Sequence, residues 1–174
     1  MKITNDLVLF FGNNNICSNF YLCPLQYEGH KFHSSEQLFM YLKAKTFEDW
    51  DTMKEIVECK TPREAKVLGR KVKNYNDEIW NSMRDRCMYI TVLAKFMQCK
   101  EFKEFVIENS DKTFAEASPY DSIWGIKLSE DDPRALVPSK WRGENRLGKC
   151  INKLISNYRD LFHKRTYHFK RLKQ

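Results

Sequence analysis

The longest regular apolar pattern in the sequence runs from Asn76 to Gln98. Within it, apolar side chains recur at intervals of three or four residues, at Ile79, Trp80, Met83, Cys87, Ile90 and Ala94. This spacing places them on one face of an α-helix and predicts the longest helix of the chain. Such a helix needs other elements against which to bury its apolar face, so the segment favours a fold built around helices.

Other helices are predicted from start signals and periodicity. Ser34 is followed three residues later by Gln37, a capping-box pattern, and this helix is expected to end near Phe47. Thr61-Pro62-Arg63-Glu64 combines a threonine cap with a proline at the first helical position and a glutamate at the third. Further helices are predicted at 51–59, 101–109 and 145–163. The expected buried faces are Ala65, Leu68 and Val72 after Thr61, and Leu147, Ile151, Leu154, Tyr158 and Leu161 in the last helix.

Three segments are predicted to be extended. Leu7 to Gly12 is a short apolar run that ends in a turn-like sequence, which is typical of a buried strand. Residues 20–32 are expected to form extended chain or a hairpin, with Glu28-Gly29-His30 as its turn. Thr113 to Ala117 predicts another strand, which leads into a long loop. The predicted class is therefore α+β, a helix-dominated single domain with a few short strands.

The net charge of +7 is concentrated at the C-terminus. The last twelve residues hold five of the 30 Lys and Arg residues and no acid, so the rest of the chain carries a net charge of only +2. We therefore divide the chain into a domain, 1–162, and a basic tail, 163–174. The tail suits contact with DNA or another polyphosphate, and an ordinary solvated terminus explains it equally well.

The six cysteines and four histidines form no zinc-binding pattern. No cofactor or metal ion is therefore expected. The N-terminal apolar run is too short for a secretory signal or a membrane span. We expect a cytoplasmic protein with reduced thiols and no membrane contact; the sequence does not indicate its oligomeric state.

A set of short motifs is spread over residues 18–148. The most specific is Glu-Ala-Ser-Pro-Tyr-Asp-x-x-Trp-Gly-Ile from Glu116 to Ile126, followed by Trp-x-Gly-x-Asn-x-Leu-Gly from Trp141 to Gly148. Earlier segments at 18–20, 27–32, 34–47, 65–70 and 80–96 stand in the same order as in the NADAR (YbiA-like) family of N-glycosidases, which the chain resembles. Gln37 departs from this pattern, because family members commonly carry His there, and residues beyond about Asp160 lie outside it.

The resemblance implies a YbiA-like fold and a hydrolase of N-glycosyl bonds. Family members are similar to enzymes that remove ribose phosphate from early pyrimidine intermediates of riboflavin biosynthesis, or ADP-ribose from guanine, including guanine in DNA. In both cases a ribose anomeric carbon is bonded to an exocyclic amine on a guanine-like ring. The implied partner is a nucleotide-like small molecule or ADP-ribosylated guanine. The alternative is a non-catalytic module that binds NAD or ADP-ribose, which would not need Glu36 and Lys43.

Glu36 and Lys43 are seven residues apart, so a helix places them two turns apart on one face, where each would shift the other's pKa. Glycosidic cleavage passes through a cationic sugar, which a carboxylate stabilises while it activates water. The resemblance favours Glu36 in this role; otherwise it is an acid at a favourable helix N-terminus. Lys43 is a candidate to capture an opened sugar as a Schiff base, with phosphate binding or pairing with Glu36 as alternatives.

The remaining candidates lie in loops and on helix faces. Asp121 is expected to bind ribose hydroxyls or to act as a second acid/base, unless it only forms an Asx turn. Gly125 suits either a close approach of backbone to ligand or a tight turn. Trp80 and Trp124 are candidates for stacking on the base, although core packing also explains Trp80. Further predicted substrate-binding residues are Asn19, Ser118, Arg70 and Arg84, the last two for phosphate, and Asn145, which is also expected to cap the last helix.

Overall fold

Six α-helices and five short strands make up the part of the chain that the structure describes. The computed structural model gives the backbone of residues 1–171 and the side chains of residues 1–159. The helices are α1 (Ser35–Thr46), α2 (Trp50–Glu58), α3 (Pro62–Gly69), α4 (Asp77–Gln98), α5 (Lys100–Glu108) and α6 (Arg146–Arg171). The strands are β1 (Lys2–Ile3), β2 (Leu7–Phe10), β3 (Leu22–Tyr27), β4 (His30–Ser34) and β5 (Thr113–Glu116). The predicted class, α+β with helices in the majority, is confirmed.

Helix α4 is the centre of the fold and packs against α1, α5 and α6. Its buried face is rotated by about one residue from the predicted stripe, because Ile79 is 48% exposed whereas Thr91 and Lys95 are buried. The two polar side chains are tolerated there because each has a hydrogen-bond acceptor. Thr91 donates to the Cys87 carbonyl at 2.9 Å, and Lys95 Nζ donates to the Ser18 carbonyl at 2.8 Å.

Local signals set the starts of α1 and α3 as predicted. Ser34 Oγ accepts the N–H of Gln37 at 3.3 Å, and the Gln37 side chain accepts the N–H of His33 at 2.7 Å. Thr61 forms a complete capping box with Glu64, and Pro62 occupies the first turn of α3. The start of each helix is therefore determined by residues next to it in the sequence.

Two helices differ from their predicted limits. Helix α3 ends at Gly69, so Val72, which was expected on its face, is buried just beyond the helix. Helix α6 continues to Arg171 instead of ending near His163. The predicted inward position of Leu161 and the side chains of the basic tail lie outside the described side chains. No helix in the described part of the chain combines the length and apolarity needed to cross a bilayer.

A small mixed sheet joins the N-terminal strands to β5, which lies more than 100 residues later in the chain. Strand β2 is fully buried and pairs antiparallel with β1 and parallel with β5, with Phe10 opposite Glu116 at the end of the ladder. Strands β3 and β4 form the predicted hairpin, and its turn at Glu28 and Gly29 has positive φ angles of 48° and 80°. Because β5 packs on α6 and lies beside β2, the sheet fixes the position at which the chain leaves β5.

Candidate active site

A cavity of about 340 Å³ lies where α1, α3, α4 and the loop after β5 meet. Its walls carry acidic, basic and aromatic side chains. The lining residues are Asn19, Phe20, Glu36, Phe39, Met40, Lys43, Lys66, Gly69, Arg70, Trp80, Met88, Glu116, Asp121, Ile123, Trp124 and Leu147. The structure thus places seven of the predicted site residues together: Asn19, Glu36, Lys43, Arg70, Trp80, Asp121 and Trp124.

Glu36 lies in the first turn of α1, and its side chain is buried. Its backbone N–H donates to the Asn19 carbonyl at 2.9 Å, which joins the start of α1 to another wall of the cavity. Within the described residues, no side chain donates a hydrogen bond to its carboxyl group. Burial raises the pKa of Glu36 to about 7; the charge of Asp121 raises it further, while Lys66 and Arg70 oppose the shift. The group is therefore able to exchange a proton near neutral pH.

Glu116 contributes a second carboxyl group to the cavity; the residue as a whole is half-buried, and it was not among the predicted site residues. Its Oε2 atom is buried and has no hydrogen-bond partner among the described residues. Burial raises the pKa of Glu116 to about 8, with further increases from the charges of Asp121 and Glu36 and a decrease from Lys66. One signal in the sequence points to it, because Glu116 is the acid at the end of the predicted strand, where the motif loop begins.

The three carboxyl groups of Glu36, Glu116 and Asp121 act on one another through charge. Asp121 raises the pKa of both glutamates, and Glu36 raises that of Glu116. Because Glu36 and Glu116 are coupled in this way, their apparent pKa values belong to the pair and not to either residue alone. Two carboxyl groups with raised pKa values in one cavity are suited to exchange protons near neutral pH, which is what acid/base catalysis requires.

Lys43 lines the cavity two turns after Glu36 on the same helix, as predicted. The two do not pair, however. Lys43 Nζ donates to the Gly69 carbonyl at 2.8 Å and lies 4.6 Å from the centre of the Tyr75 ring. Burial lowers the pKa of Lys43, and Asp77, instead of Glu36, opposes the shift. The expected mutual shift is therefore wrong, because the side chain of Lys43 is directed towards the end of α3.

Asp121 lines the cavity and also forms the Asx turn that was the alternative to a role in the site. Its Oδ1 atom accepts the N–H groups of Ile123 at 2.9 Å and of Trp124 at 2.8 Å, which is an Asx-turn arrangement. These two bonds fix the loop that carries Trp124. Asp121 thus contributes its charge to the cavity while it holds the backbone of the wall.

Ser118, Gly125 and Asn145 shape the cavity from behind instead of lining it. Ser118 is buried and accepts the N–H of Tyr120 at 3.4 Å. A Cβ atom at Gly125 would lie 2.9 Å from the Glu116 carbonyl oxygen, so close packing against protein is enough to require the glycine. The predicted ligand contacts of these residues are corrected accordingly.

The Asn145 side chain bridges to β5 and does not cap α6. Its Nδ2 atom donates to the Phe114 carbonyl at 2.9 Å, and its Oδ1 atom accepts the N–H of Glu116 at 3.1 Å. With both ends of the amide used on β5, the helix cap predicted for the Asn145 side chain is not formed. The residue instead fixes the backbone position from which Glu116 enters the cavity.

Aromatic side chains form one wall. Phe39 lies between two tryptophans. Its ring centre is 5.5 Å from that of Trp80 and 5.1 Å from that of Trp124, which it contacts edge-on. Trp80 is also in contact with the core, so its predicted site role and its packing role coexist. Trp141 belongs to a separate apolar cluster and donates its ring N–H to the Ala135 carbonyl at 2.9 Å.

The cations Lys66 and Arg70, both on or next to α3, lie beside the carboxyl groups. Arg70 was predicted as a phosphate ligand; Lys66 was not. Arg84 does not line the cavity, although it follows Trp80 by one helical turn, and its Nε atom is buried without a hydrogen-bond partner among the described residues. Asn19 donates to the Met88 sulfur at 3.4 Å on the opposite wall.

Sequence reasoning also missed the apolar wall residues Phe20, Phe39, Met40, Met88, Ile123 and Leu147, and nothing in their local sequence separates them from core residues. Within the described side chains, no group of three His, Cys, Asp or Glu residues converges in a way that could hold a metal ion. The cavity therefore offers acid/base groups, cations suited to phosphate and an aromatic wall.

Comparison with known proteins gives a consistent result. The sequence profile of the NADAR domain matches residues 9–158. The chain is 36% identical over 124 residues to N-glycosidase R617 of Acanthamoeba polyphaga mimivirus, covering 71% of this chain and 73% of that protein. It is 32% identical over 169 residues to Protein irg-1 of Caenorhabditis elegans, covering 87% and 79%. It is 26% identical over 137 residues to N-glycosidase YbiA of Escherichia coli, covering 79% and 77%.

A solved structure supports the fold. The NMR structure of the E. coli protein YbiA superposes with a TM-score of 0.72 and 22% sequence identity, over 90% of this chain and 87% of that one. At this identity the likeness concerns the fold alone.

Proposed function

Since this chain belongs to the NADAR domain family, we propose that it cleaves the bond between a ribose anomeric carbon and an exocyclic amine of a guanine-like ring. The chain is an N-glycosidase, a hydrolase of N-glycosyl bonds, as its relatives are named. The substrate is the finer part of the proposal. It is either ADP-ribosylated guanine or a ribosylaminopyrimidine phosphate, both of which contain this bond.

The observation that carries the proposal is the pair of buried carboxyl groups, Glu36 and Glu116, in one cavity. Cleavage of a glycosidic bond develops positive charge on the sugar and negative charge on the leaving group. It therefore needs a carboxylate near the anomeric carbon and a proton donor near the departing nitrogen. Raised pKa values of about 7 and about 8 suit these two roles at neutral pH.

In the proposed reaction, water is the nucleophile. The ionised Glu36 accepts a proton from the water molecule while the water oxygen bonds to the anomeric carbon. Glu116, protonated, gives its proton to the nitrogen as the carbon–nitrogen bond breaks. The products are the sugar with a free anomeric hydroxyl and the free amine, and both glutamates return to their starting state by exchanging one proton.

The other walls suit the rest of such a substrate. Lys66 and Arg70 provide positive charge for a phosphate, and Trp124, with Trp80 behind Phe39, provides a flat apolar surface for the base. Asp121 and Asn19 are polar groups suited to the ribose hydroxyls.

A covalent route through Lys43 is a second mechanism for the same function. Burial lowers the pKa of Lys43, which makes its neutral amine more accessible, and the side chain lines the cavity. In this route the sugar ring opens to an imine, Lys43 Nζ bonds to the imine carbon, and the amine of the base leaves, so that a Schiff base joins Lys43 to the sugar. Water then hydrolyses the Schiff base, releasing the sugar and the free Lys43 amine. Borohydride reduction during turnover tests this route. Trapping of a sugar adduct that is lost in Lys43→Ala supports it, and an active enzyme that yields no adduct excludes it.

The function is tested by offering both substrates and following released sugar by mass spectrometry. We expect turnover of at least one, lowered by about 100-fold or more in Glu36→Gln and in Glu116→Gln. Glu55→Gln, on the exposed side of α2, is the matched control. Tight binding of ADP-ribose with no turnover of either substrate would instead establish a non-catalytic binding module.

A further inference from the structure

A groove of about 760 Å³ lies between α4 and the first turns of α6. Met88 and Trp124 belong to its walls and also to the walls of the catalytic cavity. The groove therefore borders the cavity directly, on the side of the aromatic wall. Of the two shared residues, Met88 is buried and Trp124 is half-buried, so a ligand too long for the cavity would extend into the groove over Trp124.

The uncompensated charge of the groove is positive. Four cations line it, against the carboxylates of Asp85 and Glu144. Both carboxylates are bound by Arg146, each at 2.6 Å. The other three cations, Arg86, Lys149 and Lys153, are exposed and have no carboxylate partner among the described residues. They are free to bind an anionic ligand.

These three cations are distributed along the groove and across it. Lys149 and Lys153 are one turn apart on α6, which separates their positions by about 6 Å along the helix axis. Arg86 belongs to α4, the opposite wall. A single phosphate group would not use cations spread in this way. A ligand with successive negative charges would.

An apolar and aromatic surface lies between the cations. Tyr89, Ile90 and Leu93 line the groove from α4, and Leu93 is 38% exposed. The Tyr89 hydroxyl accepts a hydrogen bond from Asn157 Nδ2 at 2.8 Å, and Lys153 Nζ lies 5.7 Å from the centre of its ring. These contacts hold the ring in place. Cations that follow a backbone, combined with a fixed aromatic face, are the features by which proteins bind single-stranded nucleic acid.

We propose that this groove binds a single nucleic-acid strand whose modified base enters the catalytic cavity past Trp124. The inference rests on the proposed function, and it assigns to the same enzyme a strand-borne substrate instead of a free metabolite. Arg86, Lys149 and Lys153 contact phosphates, and Tyr89 stacks on a base next to the reacting one.

The test is fluorescence anisotropy with a labelled, unmodified single-stranded oligodeoxynucleotide and the full-length protein over a range of salt concentrations. The groove variant is Lys149→Gln with Lys153→Gln. The matched control, Lys31→Gln with Lys54→Gln, removes the same charge from exposed positions on β4 and α2. A third variant, Tyr89→Leu, removes the stacking surface and leaves the charge unchanged.

We expect the groove variant to weaken binding at least about tenfold and to reduce the slope of log K against log salt by about 1.4, or about 0.7 for each lost phosphate contact. The control should bind like the native protein. Tyr89→Leu should weaken binding about fivefold or more with an unchanged slope, because stacking is not a charge interaction. Equal losses in the groove and control variants, or no binding by the native protein at low salt, would overturn the proposal.

Turnover of a free ribosylated nucleotide separates this inference from the proposed function. The groove variant should process the free substrate like the native enzyme, and a strand-borne substrate less well. If the native protein processes the free substrate but binds no strand, the groove assignment alone is wrong. If it binds the strand through the groove but processes no ribosylated substrate, the groove stands and the hydrolase function is wrong.

Discussion

Two regions of this protein bury ionisable groups, and they do so in opposite ways. Around Lys95, the buried ammonium group donates to the Ser18 carbonyl at 2.8 Å and lies 4.8 Å from the centre of the Phe102 ring. In the cavity, Glu36 is buried and Glu116 is half-buried beside open space, and the buried Oε2 atom of Glu116 has no hydrogen-bond partner among the described residues.

Burial shifts the pKa of each group, to about 8 for Lys95, about 7 for Glu36 and about 8 for Glu116. The shifts alone would not separate the two regions. The two regions differ in whether the protein supplies a hydrogen-bond partner for the buried ionisable group. Lys95 joins α4 to the Ser18–Asn19 segment and is a structural cation. The carboxyl groups of Glu36 and Glu116 have no such structural bond within the described part of the chain and remain available for proton transfer.

The largest effect that this comparison predicts is on catalysis. Glu36→Gln should lower kcat/KM by about 100-fold or more, because acid/base groups contribute on this scale, and Glu116→Gln should do the same. Steady-state kinetics on the released sugar would measure it. Both variants should remain folded by circular dichroism. If Glu36→Gln keeps nearly native kcat/KM, Glu36 is not catalytic, and the cavity does not differ from the Lys95 region in the way that we describe.

Lys95→Met should act on stability instead. The substitution keeps the length of the side chain but leaves the buried Ser18 carbonyl without its donor, at a cost of about 1–3 kcal/mol. Thermal unfolding should show a Tm lower by roughly 2–4 °C for each kcal/mol. Lys100→Met, at an exposed position on α5, is the control and should leave Tm nearly unchanged. If Lys95→Met lowers kcat as much as Glu36→Gln does and leaves Tm unchanged, Lys95 is part of the catalytic machinery and our division is incorrect.

The aromatic wall gives a smaller effect. Trp124→Leu should raise KM about fivefold to tenfold with less change in kcat, because stacking on a base contributes to binding. Trp141→Leu is a matched control, since Trp141 packs in the separate cluster and should affect stability only. Equal changes in KM for both variants would mean that Trp124 is not a base-binding surface.

The smallest effect is the dependence of stability on pH, and its sign differs between the two regions. The raised pKa of Glu36 and Glu116 means that the folded state holds protons which the unfolded state has released. Stability therefore falls as pH rises from about 4.5 to about 8. The lowered pKa of Lys95 means that the unfolded state binds more protons between about 8 and 10.5, so stability rises with pH in that range.

Chemical unfolding at a series of pH values, in native protein and in the Glu36→Gln/Glu116→Gln and Lys95→Met variants, would resolve these contributions. The glutamate variant should lose the fall in stability up to pH 8, and Lys95→Met should lose the rise above it. If the glutamate variant keeps the full fall, the two carboxyl groups are not buried as we describe.

The sequence predicts the elements of this fold better than the site, for a physical reason. Ser34 and Thr61 start helices because their side chains bond backbone groups only three residues away. Glu116 enters the site because β5 pairs with β2 and because Asn145 holds its backbone, and both contacts join distant parts of the chain. A reader of the sequence sees the first kind of contact but not the second.

The same distinction explains the errors at the site. Asn145 and Gly125 stand in the most specific motif, yet the structure uses them to pack the loop against β5. Lys43 and Glu36 share a helix face, but Gly69, at the end of another helix, determines where Lys43 points. The resemblance identified the motif residues, and tertiary contacts determined which of them face the cavity.

The most direct test of the account is the pH dependence of kcat/KM in the native enzyme and in Glu116→Gln. We predict a bell-shaped profile for the native enzyme, rising near pH 7 as Glu36 ionises and falling near pH 8 as Glu116 loses its proton. Glu116→Gln should show lower activity without the falling limb. A native profile without these limbs, or a bell unchanged in Glu116→Gln, would contradict the claim that this pair of buried carboxyl groups performs the hydrolysis.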